Sequence, residues 1–154
     1  MDLQVFRSIE LFSCLDPVQL AHLASIVEEK AVPKETLLFE EGDQADYFYV
    51  IVKGRVRISK IVPGIGEEAL AILNQGSYFG EMELIDKGVP RAAQAMTHED
   101  CILHLFAVDD FHTMMGTEKD LAIALLWGLC RTLASRMRET NDKVTAMFAM
   151  AQFS

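Results

Sequence analysis

The stretch that decides the fold runs from Ser77 to Met96 and reads SYFGEMELIDKGVPRAAQAM. It places Gly80 before two acidic residues, breaks at a Gly-Val-Pro sequence, and then presents Arg91 before two alanines. Glycine at such a junction lets the backbone approach a ligand closely, and the N–H groups that open the next helical turn can bind an anion. Because an arginine fork binds two phosphate oxygens at once, we predict a site for a small anion.

Glu81 indicates that this anion also carries a hydroxyl group. A carboxylate only accepts hydrogen bonds, so it cannot bond to a phosphate group, which is also an acceptor. It could, however, accept a hydrogen bond from a ribose 2′-OH. Glu81 and Arg91 would then bind opposite ends of one compact cyclic sugar phosphate. The alternative is an ordinary surface ion pair between the two side chains, which contributes only ~0–1 kcal/mol when exposed.

The segments on either side of this stretch are typical of short antiparallel strands. Alternating apolar residues are interrupted by turn signals about every ten residues. These turns are predicted at Gly42–Asp43, Lys53–Gly54, 63–66, 74–76 and 97–100. Arg91 is expected to begin the strand that follows the Gly-Val-Pro break. Many short strands at this spacing favour an antiparallel barrel or jelly roll.

Helical patterns flank the strands at both ends of the chain. Near the N-terminus, Asp16 is placed to cap a helix whose apolar positions run at helical spacing to Val27, with proline at its first position. After the last strand, Asp109 and Asp110 are placed to cap a short helix over 111–115.

A long helix is predicted over residues 117–152, which contain no proline. At ~1.5 Å per residue it would be about 50 Å long, which exceeds the width of a domain of this size. Its apolar positions resemble a coiled-coil seam with one extra residue near Met137. The length favours a homodimer through this helix, and the alternative is that the helix packs only on its own sheet. The seam comprises Leu126, Leu129, Leu133, Met137, Thr140, Val144, Met147 and Ala151.

Composition limits the classes of protein that remain. The chain has 154 residues, is 51% hydrophobic and carries a net charge of −9, which predicts one globular domain over 1–154 and argues against binding DNA or anionic membranes. No apolar run reaches the ~18 residues that span a bilayer.

Three distant cysteines are typical of reduced thiols in a cytoplasmic protein. Cys101 and His104 are the nearest approach to a metal pair, and we interpret them as ordinary strand residues, with no metal expected.

Two segments resemble one known family. FGEMELIDKGVPRAAQA resembles the phosphate-binding cassette of cyclic-nucleotide-binding domains, which reads roughly F-G-E-(apolar)-(small)-L-(apolar), then P-R-(A/T)-A-(T/Q). GDQADYFYVIVKGRVRI resembles the early strands of the same family. The resemblance implies a mainly β fold with flanking helices: N-terminal helices over 1–30, an eight-stranded antiparallel β-roll (jelly roll) over 31–108, and a hinge with a long C-terminal helix over 109–154.

The resemblance also implies a set of ligand-binding residues in the cassette and on the long helix. Glu81 would accept from the 2′-OH, Arg91 would pair with the cyclic phosphate, and the N–H groups of Glu83 and Ala92 would add phosphate contacts. Ala92 stands where readers of cyclic GMP often have threonine, which favours cyclic AMP. The implied residues are Phe79, Gly80, Glu81, Met82, Glu83, Pro90, Arg91, Ala92, Ala93, Thr140 and Asn141.

Thr140 and Asn141 match the adenine-contacting end of the family's long helix. Thr140 would face the adenine amino group, and Asn141 would do so from the partner subunit. They could equally be polar seam residues that set helix register. Glu83 departs from the family, which has a small residue there. Its carboxylate either points to solvent, or repels the phosphate and occupies Arg91 when no ligand is bound.

The function implied is a cyclic-nucleotide sensor without catalysis. The ligand would be cyclic AMP or, less favoured, cyclic GMP, and movement of the C-terminal helix would signal to an unknown effector protein. No segment resembles a helix-turn-helix, so we expect that another protein receives the signal or that the chain is part of a longer one. Two alternatives remain: a family member that binds no nucleotide and acts as a dimerising interaction module, and a cupin-type enzyme, for which the clustered metal ligands are missing.

Overall fold

The computed structural model describes residues 3–153 of the chain, apart from the side chains of Leu3, Gln4 and Glu83. Helix α1 (Leu3–Arg7), a 3-10 helix (Glu10–Phe12) and helix α2 (Pro17–Ser25) come first. The predicted cap of α2 is present, because Asp16 accepts hydrogen bonds from the N–H groups of Val18 and Gln19. The Gln19 side chain completes a capping box by accepting from the Asp16 N–H at 3.0 Å.

The end of α2 differs from the prediction. The helix ends at Ser25, and Val27 opens strand β1 (Val27–Val32) instead of continuing the helical stripe. β1 pairs antiparallel with the last strand from Val27, opposite Phe106, to Val32, opposite Cys101. This six-residue ladder overrides the helical spacing, and the strand region therefore begins at residue 27 rather than 31.

Within residues 3–153, eight antiparallel strands form the predicted roll. They make two four-stranded sheets, with orders β1-β8-β3-β6 and β2-β7-β4-β5. The five predicted turns fall at connections between strands, and four of them contain glycine. Gly54 shows why the residue type matters, because its φ is 92° and a Cβ there would lie 2.5 Å from the Asp100 carbonyl oxygen. The remaining strands are β2 (Leu37–Phe39), β3 (Tyr47–Lys53), β4 (Val56–Val62), β5 (Gly66–Leu73), β6 (Tyr78–Phe79), β7 (Gln94–Thr97) and β8 (Cys101–Ala107).

Two hydrophobic clusters lie on opposite sides of the first sheet. On β3, Phe48 packs toward the helices with Phe6 and Phe106, whereas the neighbouring Tyr49 packs inside the roll against Phe79. Alternate residues of a strand point to opposite faces, so β3 connects both clusters. Burial of each large apolar side chain contributes roughly 1.5–3 kcal/mol. The N-terminal helices are therefore part of the core.

Cys101 and His104 lie on β8, and their contacts are those of ordinary strand residues. The Cys101 thiol donates to the carbonyl oxygens of Arg55 and Glu99, while His104 Nε2 lies 2.9 Å from Glu29 Oε2. Among the described side chains, no three His, Cys, Asp or Glu residues are grouped as metal ligands would require.

The helix after β8 begins earlier than predicted. α4 (Val108–Thr117) has Ala107 as its N-cap residue, with no side-chain cap, so the prediction that Asp109 and Asp110 cap it is wrong. The start is fixed instead by the Val108 N–H, which donates to the Asp46 carbonyl at 2.9 Å. Both acids lie in the first turn, where they interact favourably with the helix dipole.

Helix α5 (Lys119–Ala151) has 33 residues and is therefore about 50 Å long. Its buried residues all lie between Leu121 and Leu129. Leu129 is only 2% exposed, so the predicted position of this residue in an outward-facing seam is wrong. Among residues 3–153, no helix is both long and apolar enough to cross a lipid bilayer.

Candidate ligand-binding site

The turn between β6 and the short helix α3 (Met82–Ile85) requires glycine for two reasons. Gly80 has a φ of 76°, a backbone conformation that side-chain-bearing residues rarely adopt. A Cβ at this position would also lie 2.6 Å from Nη1 of Arg91 and 3.3 Å from the Tyr47 carbonyl oxygen. The turn and the guanidinium are therefore packed directly against each other.

A cavity of about 340 Å³ lies between this turn, the second sheet and α5. Its size falls in the range of ~300–1,000 Å³ that is usual for sites of small ligands. Apolar side chains of the roll, including Ile58, Leu70 and Leu73, form one wall. The cassette contributes Phe79, Gly80, Glu81, Met82, Ala92 and Ala93, and α5 contributes Arg136, Glu139, Thr140 and Lys143.

Most of the predicted ligand-binding residues lie together on this cavity. The six cassette residues and Thr140 line it, whereas Pro90, Arg91 and Asn141 do not. Asn141 is exposed on α5. Glu83 belongs to α3 by its backbone, and its side chain, on which both interpretations of this residue depend, lies outside the described residues.

Arg91 is buried immediately behind the cavity wall. It is 3% exposed, and its guanidinium donates to the carbonyl oxygens of Gly80, at 3.3 Å, and Tyr47. Cζ lies 4.1 Å from the centre of the Phe39 ring, within the range of a cation–π contact. Burial raises the pKa of the neighbouring Tyr49, although the Arg91 charge partly opposes this effect.

The backbone of Arg91 is not part of a strand, contrary to the prediction. β7 begins three residues later, at Gln94. The Arg91 N–H donates to the Asp43 carbonyl at 2.8 Å, and the Arg91 carbonyl accepts from the Gly42 N–H at 2.9 Å. These bonds pair Arg91 with the Gly42–Asp43 turn, and they hold the cassette against the end of β2.

Arg136 on α5 is the main residue of the site that the sequence did not predict. Its Nη1 forms an ion pair with the carboxylate of Glu81, and its Nη2 donates to the Tyr78 carbonyl at 3.0 Å. The guanidinium also lies over the Tyr78 ring, 5.2 Å from its centre. Since Glu81 is only 2% exposed, a charged partner for it is energetically important. The ion pair therefore connects α5 to the cassette.

One signal in the sequence could have located Arg136. It lies four residues before Thr140, so both side chains share one face of the helix. Glu139 and Lys143, which also line the cavity, follow on the same face. The Thr140 hydroxyl donates back to the Arg136 carbonyl at 2.9 Å, so this hydroxyl already has a partner on its own helix.

With this geometry established, comparison with known proteins identifies the class. The profile of the cyclic nucleotide-binding domain family matches residues 29–118. The chain belongs to this family, which confirms the resemblance of the cassette.

Three similar proteins illustrate the family. The chain is 28% identical, over 92% of its length, to the "CRP-like cAMP-activated global transcriptional regulator" of Mycobacterium tuberculosis, of which the match covers 61%. It is 28% identical over 93% of its length to the cAMP-dependent protein kinase regulatory subunit of Mycosarcoma maydis, covering 26% of that protein. A cyclic nucleotide-binding domain from Methylobacillus flagellatus has a TM-score of 0.81 and 28% identity, with 92% and 79% of the two chains covered.

These comparisons bear on two expectations from the sequence. The structural match to the Methylobacillus flagellatus domain confirms the predicted fold class, a β-roll with flanking helices. The two relatives with named functions are regulators, which confirms that the family is regulatory rather than enzymatic. The chain spans less than two thirds of the length of the regulators that it matches.

Proposed function

We propose that this protein is a cyclic-nucleotide sensor and that cyclic AMP is its ligand. The observation that supports this most strongly is the cavity, in which Glu81 and the Ala92–Ala93 wall of the cassette face α5. Its volume suits a mononucleotide. The names of relatives that are activated by or dependent on cAMP support the same ligand, as does alanine at position 92.

Binding requires that the nucleotide replace contacts within the protein. The cyclic phosphate would take over the N–H groups of Arg91 that now bind the carbonyl oxygens of Tyr47 and Gly80. The ribose 2′-OH would donate to Glu81, whose carboxylate is paired with Arg136. In each exchange a charged group forms a hydrogen bond to a new partner, and such a bond contributes ~1.5–3 kcal/mol.

The signal would follow from the contact between Arg136 and Glu81. A ligand changes a conformational equilibrium only if it binds one state more tightly, and a change from 1:99 to 99:1 needs about 5.5 kcal/mol. Two or three charge-assisted hydrogen bonds reach that size where the contacts that they replace are weaker. When the nucleotide binds to Glu81, the position of Arg136 and therefore of α5 changes. The effector protein would recognise this change.

The exposed side of α5 supports a homodimer. Nine positions follow each other at alternating spacings of three and four, with no extra residue once Cys130 replaces the buried Leu129. This is the repeat of a coiled-coil core. Its large members include Met137, at 64% exposed, and Met147, at 70%. The repeat comprises Ile123, Leu126, Cys130, Leu133, Met137, Thr140, Val144, Met147 and Ala151, of which Thr140 also borders the cavity.

A second candidate function is a dimerising module that binds no nucleotide. Two observations favour it: Arg91 lies behind the wall of the cavity, and Glu81 is already paired with Arg136. In this case both side chains would serve only to hold the cassette and α5 in place.

Isothermal titration calorimetry with cyclic AMP and cyclic GMP distinguishes the two functions. A sensor should bind cyclic AMP at one site per chain, and Arg91→Ala should abolish binding while the circular dichroism spectrum stays unchanged. Absence of heat with either nucleotide, with light scattering still showing a dimer, would support the module. An Arg91→Ala variant that binds normally would contradict the proposed site.

A further inference from the structure

The end of α5 is apolar over more of its surface than the proposed dimer would cover. Residues 144–153 read VTAMFAMAQF and contain no charged side chain. Within this segment, Val144, Met147 and Ala151 belong to the seam that faces the second copy. Phe148 and Met150 lie beside the seam, one on each flank, and are 68% and 71% exposed. A two-stranded coiled coil buries its seam and leaves most of both flanks in water.

The same two flanks are polar one heptad earlier on the helix. The position of Phe148 is then taken by Asn141, and the position of Met150 by Lys143. Apolar residues at the seam alone are typical of a two-stranded coiled coil, whereas apolar residues at the seam and beside it are typical of helices in a bundle. After Lys143 the pattern therefore changes from that of a coiled coil to that of a helix bundle.

A second dimer of the same chain fits this surface in area and in charge. Phe153 follows the helix and is 93% exposed, so each chain presents two phenylalanines here. A buried aromatic side chain removes ~150–250 Å² from water. Four chains would together bury roughly 1,200 Å² through these rings alone, which is the area of a specific protein interface. Because the segment is uncharged, the contact would bring no like charges together.

The net charge of the chain favours one direction of approach. Each chain carries −9, so two dimers that packed side by side would bring four acidic rolls close together. Antiparallel contact between the ends of α5 places the rolls at opposite ends of the assembly instead. The overlap is then confined to the uncharged residues, because Asp142 and Lys143 come immediately before them.

We propose that residues 144–153 are a docking surface for a second dimer of this protein, and that two dimers join antiparallel through a short four-helix bundle. The tetramer has two cavities at each end and the ends of four α5 helices at its centre. This inference rests on the homodimer proposed above, and it does not depend on nucleotide binding.

Sedimentation equilibrium of the full chain over a range of concentrations tests the tetramer. Wild type should approach four times the 17.2 kDa mass of one chain at high concentration, and it should fall to twice that mass on dilution. Phe148→Glu places four carboxylates in the bundle, so this variant should stop at the two-chain mass. Since Phe148 is exposed within the chain, circular dichroism should show an unchanged fold.

Trp127→Glu is the matched control. Trp127 lies on the same flank as Phe148, three heptads earlier, and is 66% exposed. The opposite flank at this level is Leu129, which is buried in its own chain, so no second dimer packs there. Trp127→Glu should therefore keep the masses of wild type.

Three results would overturn the inference: wild type never exceeds the two-chain mass, Phe148→Glu still reaches the four-chain mass, or Trp127→Glu behaves like Phe148→Glu. A single-chain mass for wild type would contradict the underlying homodimer as well. A four-chain mass in a protein that gives no heat with either nucleotide would support the tetramer and contradict only the proposed sensor.

Small-angle X-ray scattering tests the antiparallel direction. The ends of α5 overlap over about a third of a helix that is ~50 Å long. The longest dimension of the four-chain form should therefore be about one and a half times that of the Phe148→Glu dimer. Equal longest dimensions would show that the rolls lie side by side and would overturn the antiparallel arrangement.

Discussion

At the scale of single residues, the cassette depends on the close approach of Gly80 and Arg91. We expect Gly80→Ala to reduce both stability and nucleotide binding, because its Cβ would lie 2.6 Å from Nη1 of Arg91. Gly76→Ala is the matched control, since Gly76 also has a positive φ, 84°, but no atom within 4 Å of the added Cβ.

Thermal unfolding and calorimetry measure these two variants. Gly76→Ala should lose only the backbone term of about 1–2 kcal/mol and keep its affinity. Gly80→Ala should lose more stability than this and bind cyclic AMP weakly. Equal losses of stability with unchanged affinity would contradict the role given to this contact.

Arg136 and Glu81 provide the second test at this scale. Arg136→Gln removes the charged partner of a buried carboxylate, and we expect a loss of about 1–3 kcal/mol in the free energy of unfolding. Denaturation in urea measures it. The double variant Glu81→Gln/Arg136→Gln should recover part of this loss, because neither charge remains.

The control for this pair is Arg131→Gln. Arg131 is exposed on the same helix, and its side chain donates to the Trp127 carbonyl of its own helix, so its replacement should change stability little. A loss equal to that of Arg136→Gln would show that the Glu81 contact contributes nothing specific.

The sequence predicts the residue types of the site better than their orientations. Gly80, Glu81 and Ala92 follow from local spacing, because a short motif with a tight turn brings near neighbours together. The position of Arg91 behind Gly80 depends on the carbonyl of Tyr47, 44 residues away in sequence. Likewise, Arg136 reaches Glu81 across 55 residues. Such contacts depend on tertiary packing, which a local pattern does not contain.

At the scale of elements, α5 is attached to the core through Gly128. A Cβ at this position would lie 2.9 Å from the Leu11 carbonyl oxygen and 3.1 Å from Leu11 Cδ1. Alanine favours the helix by roughly 1 kcal/mol, but the clash involves backbone, and overpacking typically costs about 1–3 kcal/mol. We expect Gly128→Ala to destabilise the protein in urea denaturation.

The glycine of α4 gives the opposite expectation. Gly116 has nothing within 4 Å of an added Cβ, so Gly116→Ala should stabilise the protein by up to about 1 kcal/mol through helix propensity alone. If both variants change the free energy of unfolding in the same direction, then packing of the 3-10 helix against α5 is not the reason that residue 128 is glycine.

Cys130 tests the proposed pairing of α5 with a second copy. In a parallel dimer in register, both Cys130 residues would face each other across the seam, and their thiols are free. Mild oxidation should therefore give a covalent dimer on non-reducing gels. Cys130→Ser should abolish this product and Cys14→Ser, at the other exposed thiol, should not. A product that depends on Cys14, or no product at all, would contradict the parallel pairing.

Elements with strong local signals are predicted well from the sequence, and those with weak signals are not. Glycine and proline mark the turns because they determine backbone angles, and the long proline-free run predicts α5. The sequence misassigns Val27 because its spacing fits a helix, while the pairing of β1 with β8 crosses about 75 residues of chain. It misassigns Leu129 because periodicity shows which residues are apolar, but not which neighbour each one contacts.

At the scale of the whole molecule, the protein divides into a roll that holds the cassette and a helix that extends beyond it. The N-terminal third of α5 is anchored in the core. The middle of the helix carries Arg136 to the cassette, and the outer stripe is exposed. A ligand that changes the contact between Arg136 and Glu81 therefore acts on a helix that reaches far beyond the cavity.

The most direct measurement is a crystal structure of the protein grown with cyclic AMP. We predict a nucleotide in the cavity between the cassette and α5, with the cyclic phosphate on the Arg91 guanidinium and the ribose 2′-OH on the Glu81 carboxylate. An empty cavity at saturating nucleotide, or a nucleotide bound with Arg91 still on the carbonyl oxygens of Tyr47 and Gly80, would contradict it.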